Sequence, residues 1–111
     1  MRESILEWCE YLGLKKPVYV TLTTRKHKVN DAWYQPRYGD SGKLQSHRIK
    51  VYLNTDTDRD IKSLIAHELI HAWQEENKIG GVHGKKFARK ARAMSRRFVI
   101  PRIYRPELDT P

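Results

Sequence analysis

The strongest constraint in this chain is a helical pattern running from about Asp58 to Lys78. Ile61, Ile65, Leu69, Ala72 and Trp73 form its apolar stripe. Inside that pattern stands His67-Glu68-Leu69-Ile70-His71, flanked by further apolar residues at Leu64 and Trp73. A helix so apolar is buried when the chain folds, and burying imidazoles and a carboxylate is costly unless they have partners. Histidines four residues apart lie one turn apart on the same helix face, so both reach a single ion. Glu68 is rotated by about 100° from His67. It is therefore a poor third ligand but can reach a water held by that ion. Zinc lowers the pKa of such a water to about 7, and the carboxylate can take its proton during attack. The competing explanation is a polar helix face whose histidines bond carboxylates or backbone. Three polar residues coinciding in an apolar stretch favour the metal.

A third ligand has to come from downstream. A metzincin would place Gly at 74 and His at 77, where this chain has Gln74 and Asn77. Glu75 lies near the histidine face, but one straight helix is badly placed to give three tetrahedral ligands. Glu107 stands in a tail with no supporting pattern. His83 fits better, because it follows Gly80-Gly81 and opens the last helix, so the chain can fold back toward the ion. His27 and His47 read as surface or strand residues, with His47 a lesser candidate for the cleft.

The rest of the chain supplies a scaffold. Ile5, Cys9 and Leu12 at helical spacing predict a first helix closing near Gly13. Extended runs follow at VYVTLTT, at DAWYQPRY and at HRIKVYLN. Pro36 suits an edge or a bend in the second run. In the third, Ile49, Val51 and Leu53 share one face, with Lys50 and Tyr52 on the other. Thr57 with Asp60 resembles a capping box for the long helix. A last helix from about Gly84 to Arg97 buries Phe87, Ala91, Met94 and Phe98. The order helix, three strands, helix, helix predicts an α+β fold, a small three-stranded sheet packed on the long helix. Its 111 residues predict one domain.

Composition narrows the partners. Lys and Arg number 22 against 13 Asp and Glu, a formal net charge of +9, which draws a chain to polyanions. Residues 79–105 hold nine cations and no acid. On the last helix Lys85, Arg89, Arg92 and Arg96 form one flank and Lys86, Lys90 and Arg97 the other, which suggests contact with a nucleic-acid backbone. An ordinary solvated face would mix signs. Trp33, Tyr34 and Tyr38, with Arg37 nearby, could stack unpaired bases or line the cleft, and core packing is at least as good an explanation for Trp33. Cys9 is the only cysteine, which excludes an internal disulfide and a cysteine zinc ribbon within this sequence. No run is long and apolar enough for a signal peptide or a membrane span. The expectation is a cytoplasmic monomer.

The run from His67 to Tyr104 resembles the SprT-like, or Spartan-related, metallopeptidases. Their pattern is HExxH, a variable stretch, His-Gly, an aromatic about three residues on, a helix and a proline-bearing segment. Those positions are His67, Glu68 and His71, then His83-Gly84, Phe87 and Pro101. The resemblance implies a zincin-like fold, Zn2+ on three histidines, Glu68 as catalytic base and protein substrates bound on or crosslinked to DNA. Many members carry a cysteine zinc ribbon after the peptidase domain; this sequence has none, so DNA contact is expected from the domain itself or from a partner. Two other readings share the motif. One is a non-catalytic nucleic-acid-binding module stapled by zinc, the other a zinc hydrolase of a non-protein substrate.

Overall fold

The computed structural model describes residues 2–24, 32–53 and 60–104. Its elements run α1 (Arg2–Tyr11), β1 (Val18–Thr23), β2 (Ala32–Tyr38), β3 (Leu44–Tyr52), α2 (Ile61–Asn77) and α3 (Lys85–Phe98). This is the α+β order expected, and the fold is zincin-like. His27, Thr57 and Glu107 lie outside the described residues.

The sheet order is β1-β3-β2, with β1 parallel and β2 antiparallel to β3. β3 is therefore central, and Pro36 sits on an edge strand, where a missing N–H is tolerated. Alternation along the strands sorts the side chains. His47, Ile49 and Val51 of β3, with Val20 and Tyr34 beside Ile49, face α2. Arg48, Lys50 and Tyr52 belong to the opposite side.

α2 is enclosed by the sheet and by both other helices. Ser63 through Ile70 are all buried, so this helix is apolar around most of its circumference except at the site. Ile65, Leu69 and Ile70 are fully buried among Ile49, Val51, Phe87, Met94 and Ile103. Each such side chain contributes about 1.5–3 kcal/mol of burial free energy.

The ends of α2 differ from the sequence expectation. Asp60 is the N-cap rather than the third helical position, and its Oδ1 accepts from the Ser63 N–H at 2.7 Å. At the other end the chain turns at Lys78, not at the glycines. Lys78 is left-handed, with φ 53°, and the Ile79 N–H reaches the Gln74 carbonyl at 2.9 Å. That Schellman closure satisfies the last carbonyls with a lysine where glycine is usual. α1 closes in the same way at Gly13, as expected, where φ is 67°.

Candidate active site

His67 and His71 project from adjacent turns of α2, and His83 comes from the connection to α3. That connection is a tight turn in which the Gly84 N–H reaches the Gly81 carbonyl at 2.6 Å. A Cβ at Gly84 would stand 3.0 Å from that carbonyl, and Gly81 has φ 73°, so two glycines let the chain reverse and present His83. His83 Nε2 lies 3.1 Å from His67 Nε2 and 3.2 Å from His71 Nε2. A tetrahedral ion with bonds of 2.0–2.1 Å needs donors about 3.3–3.4 Å apart. The cluster matches that spacing to within a few tenths of an ångström.

The other ring nitrogens show why these Nε2 atoms face inward. His67 Nδ1 donates to the Ile103 carbonyl at 2.8 Å, and His71 Nδ1 donates to Gln74 Oε1 at 2.8 Å. With the proton on Nδ1, each Nε2 carries a lone pair, a tautomer assigned from these partners. One proton on His83 Nε2 can serve only one of these two lone pairs well at a time, whereas a cation among the three nitrogens engages them all. The donor set thus fits a metal ion on its own chemistry, and the three histidines form a cluster able to hold one.

Supporting residues extend this frame. Gln74 Nε2 donates to the Val82 carbonyl at 3.1 Å, tying His71 to the turn that carries His83. Phe87, fully buried, has its ring centroid 4.8, 4.9 and 5.0 Å from those of His67, His71 and His83 and so floors the cluster. The tail after α3 reaches back to α2 twice. Its Ile103 carbonyl fixes His67, and its Pro101 carbonyl lies within reach of the Ser63 hydroxyl, which Asp60 Oδ1 also accepts at 2.8 Å. That hydroxyl has one proton and serves one of them at a time. Glu68 is 6% exposed, as is His67.

His47, expected at the surface or on a strand, is a fully buried strand residue. Its Nε2 donates to Glu76 at 2.7 Å, leaving Nδ1 to accept the Tyr34 hydroxyl at 2.7 Å. The Tyr34 ring stacks toward His71, with centroids 6.5 Å apart. Glu76 also accepts the N–H groups of Lys15 and Lys16, at 2.8 and 3.0 Å. Burial works to raise the Glu76 pKa, but His47 and the two backbone donors outweigh it and hold the carboxyl below its ordinary range. Tyr34 is pushed up, first by burial and then by the charges of Glu75 and its neighbours. Tyr38 is also raised, first because its hydroxyl donates to Glu75. Cys9 is pushed up to about 11 by burial and by the Glu76 charge, so its thiol is not a nucleophile near neutral pH.

The cations of α3 do not form a uniform face. Lys85, Lys86, Arg89, Arg92, Arg96 and Arg97 are exposed. Lys90 is half-buried, its ammonium 4.6 Å from the Trp73 ring centroid and 5.6 Å from that of Tyr11. It ties α3 to α2 and α1 through cation–π contacts. Arg97 lies 5.0 Å over the Phe98 ring. Trp33 belongs to neither the cleft nor the core; its Nε1 donates to the Tyr52 hydroxyl at 2.9 Å, on the sheet side away from α2.

An HExxH helix under a small mixed sheet, with a third histidine returned by a glycine turn, defines a zincin-type metalloendopeptidase domain. The sequence pattern of the SprT-like family matches residues 19–105, and the chain belongs to that family. No curated protein and no solved structure matches it. No helix among the described residues is long and apolar enough to cross a membrane.

Proposed function

We propose that residues 1–111 act as a single zinc-dependent peptidase domain, with His67, His71 and His83 as ligands and Glu68 as general base, cleaving proteins bound or crosslinked to DNA. The observation that carries the peptidase reading is the convergence of the His67 and His71 Nε2 atoms on that of His83, at 3.1 and 3.2 Å, with the buried Glu68 next to His67 on α2. When bound, zinc supplies Lewis acidity toward the scissile carbonyl and makes the attacking water more acidic. The Glu68 carboxylate takes the water proton as the water oxygen adds to the carbonyl carbon. It then delivers that proton to the amide nitrogen as the C–N bond breaks. Ile103 and Gln74 hold the imidazoles in the required tautomer, and Phe87 keeps water from the floor of the cluster.

The DNA part of the reading is supported by the net charge of +9 and by the exposed cations of α3, the helix that begins two residues after His83. Lys85, Lys86, Arg89, Arg92, Arg96 and Arg97 meet phosphates, and Lys90 contributes mainly through packing. The test is cleavage of a basic DNA-binding protein by zinc-loaded enzyme, with and without DNA. Glu68→Gln should retain zinc and lose turnover by roughly 10²–10⁴-fold. Parent-like cleavage by that variant would remove Glu68 as the base. Cleavage indifferent to DNA and to salt would leave a peptidase without DNA recruitment.

A further inference from the structure

The three strands contain no acidic residue, and their Lys and Arg residues are Arg37, Arg48 and Lys50. All three fall on one side of the sheet. Register places Tyr19 beside Arg48, Trp33 beside Lys50, and Arg37 beside Ser46, all on the side away from α2. Among the described residues no helix packs on that side; α1 and α3 both pack on α2. Tyr19 is 60% exposed, Arg37 and Arg48 are exposed, Trp33 and Lys50 are half-buried, and Tyr52 and Ser46 on the same side are buried, so the open part of this face centres on Tyr19, Arg48 and Arg37 with the free edge of Trp33.

Cations on a sheet edge often serve only to block strand-to-strand aggregation. That explanation fails here, because Arg48 and Lys50 lie on the central strand β3. Like charges two residues apart on one strand face repel each other, and no carboxylate of the sheet offsets them. A ligand that alternates anionic groups with flat apolar rings would offset the repulsion and cover the exposed Tyr19 ring and the uncovered part of Trp33. Trp33 is held by its edge through the hydrogen bond to Tyr52, and Lys50 stands 5.7 Å from the Tyr52 ring centroid, so the aromatic and cationic groups are already ordered together.

We propose that this face is a stacking surface for single-stranded DNA, with Tyr19 and Trp33 as base platforms and Arg37, Arg48 and Lys50 as phosphate contacts. It rests on the DNA recruitment proposed above and deepens it by naming the surface and the strand form. Exposed bases can lie on aromatic side chains, whereas a duplex hides its base faces and offers this surface only phosphates. The surface lies across the sheet from α2 and is distinct from the cations of α3, so each can be disabled separately.

The experiment is fluorescence anisotropy of labelled dT15, U15 and a 15-base-pair duplex with the full chain over a salt series. Tyr19→Ala should weaken dT15 binding by about fivefold or more while leaving duplex binding and the salt slope unchanged. Arg48→Glu with Lys50→Glu should weaken dT15 further and lower its salt slope by roughly 0.7 per lost contact. Trp33→Ala should act like Tyr19→Ala; if it fails to fold, Tyr19→Ala decides alone, being largely solvent-exposed. Parent-like dT15 binding in the Tyr19 and Arg48/Lys50 variants, with loss in Arg89→Glu/Arg92→Glu, overturns the proposal and assigns all binding to α3. Tighter binding of U15 than of dT15 overturns the choice of DNA. Binding needs no turnover, so its failure leaves the peptidase chemistry standing, and failed cleavage leaves this surface standing.

Discussion

Gln74 makes a sharp test of how the metal cluster is held. It is 5% exposed and joins two ligand carriers, accepting from His71 Nδ1 at 2.8 Å and donating to the Val82 carbonyl at 3.1 Å. Gln74→Leu keeps the bulk and removes both bonds. Each is a net contribution of about 0.5–1.5 kcal/mol, so their joint loss is about 1–3 kcal/mol. If all of that falls on the metal-bound state, affinity drops roughly 5- to 150-fold, which brackets the 10–100-fold typical of lost outer partners of a ligating histidine. Gln74→Glu should recover part of the loss, because a carboxylate still accepts from His71 Nδ1 while losing the donor to Val82. The assay is competition for zinc against a chromophoric chelator at fixed pH, with far-UV circular dichroism of the metal-free proteins as the folding control. Parent affinity in a folded Gln74→Leu variant would refute the argument that these bonds preorganise His71 and His83.

Other outcomes follow from the same structure. Glu76 is held below its ordinary pKa, so its contribution to stability is complete above the unfolded glutamate value of about 4.3 and is lost as pH falls through the lowered folded value. Glu76→Gln should therefore destabilise by about 1–3 kcal/mol at pH 7, with a gap to the parent that closes below pH of about 4, read by urea denaturation at each pH. A gap that stays constant through the acid range would contradict the linkage. Lys78→Gly relieves a left-handed lysine, a strain of about 1–2 kcal/mol, against about 0.4–1 kcal/mol of added unfolded-chain entropy. The net expectation is a gain of about 0.5–1 kcal/mol, read as a higher Tm by calorimetry; a lower Tm would refute it.

Much of the site was legible because it depends on local spacing. His67, Glu68 and His71 share one helix, and the helical repeat alone brings the two histidines together. His83 was legible because glycines punctuate the chain just before it. Residues whose role depends on distant partners were not. His47 reads as a polar residue on a strand, and nothing local says that Tyr34 and Glu76 will close around it. Gln74 sits three residues after His71, a spacing that does bring helix side chains together, so this partner had a usable signal. The Ile103 and Pro101 carbonyls carry no side-chain signature at all. The capping of α2 shifted for a different reason: Asp60 can bond Ser63 directly, and Lys78 accepts a strained turn because the Schellman bonds repay part of it. The parallel pairing of β1 with β3 is a long-range choice that strand periodicity does not encode.

The most direct measurement is X-ray absorption at the zinc edge of the metal-loaded chain, compared with His83→Ala. Three imidazole nitrogens and one oxygen donor at about 2.0–2.1 Å are expected, with one imidazole lost in the variant. A parent spectrum showing two imidazoles, unchanged by the substitution, would contradict the three-histidine site.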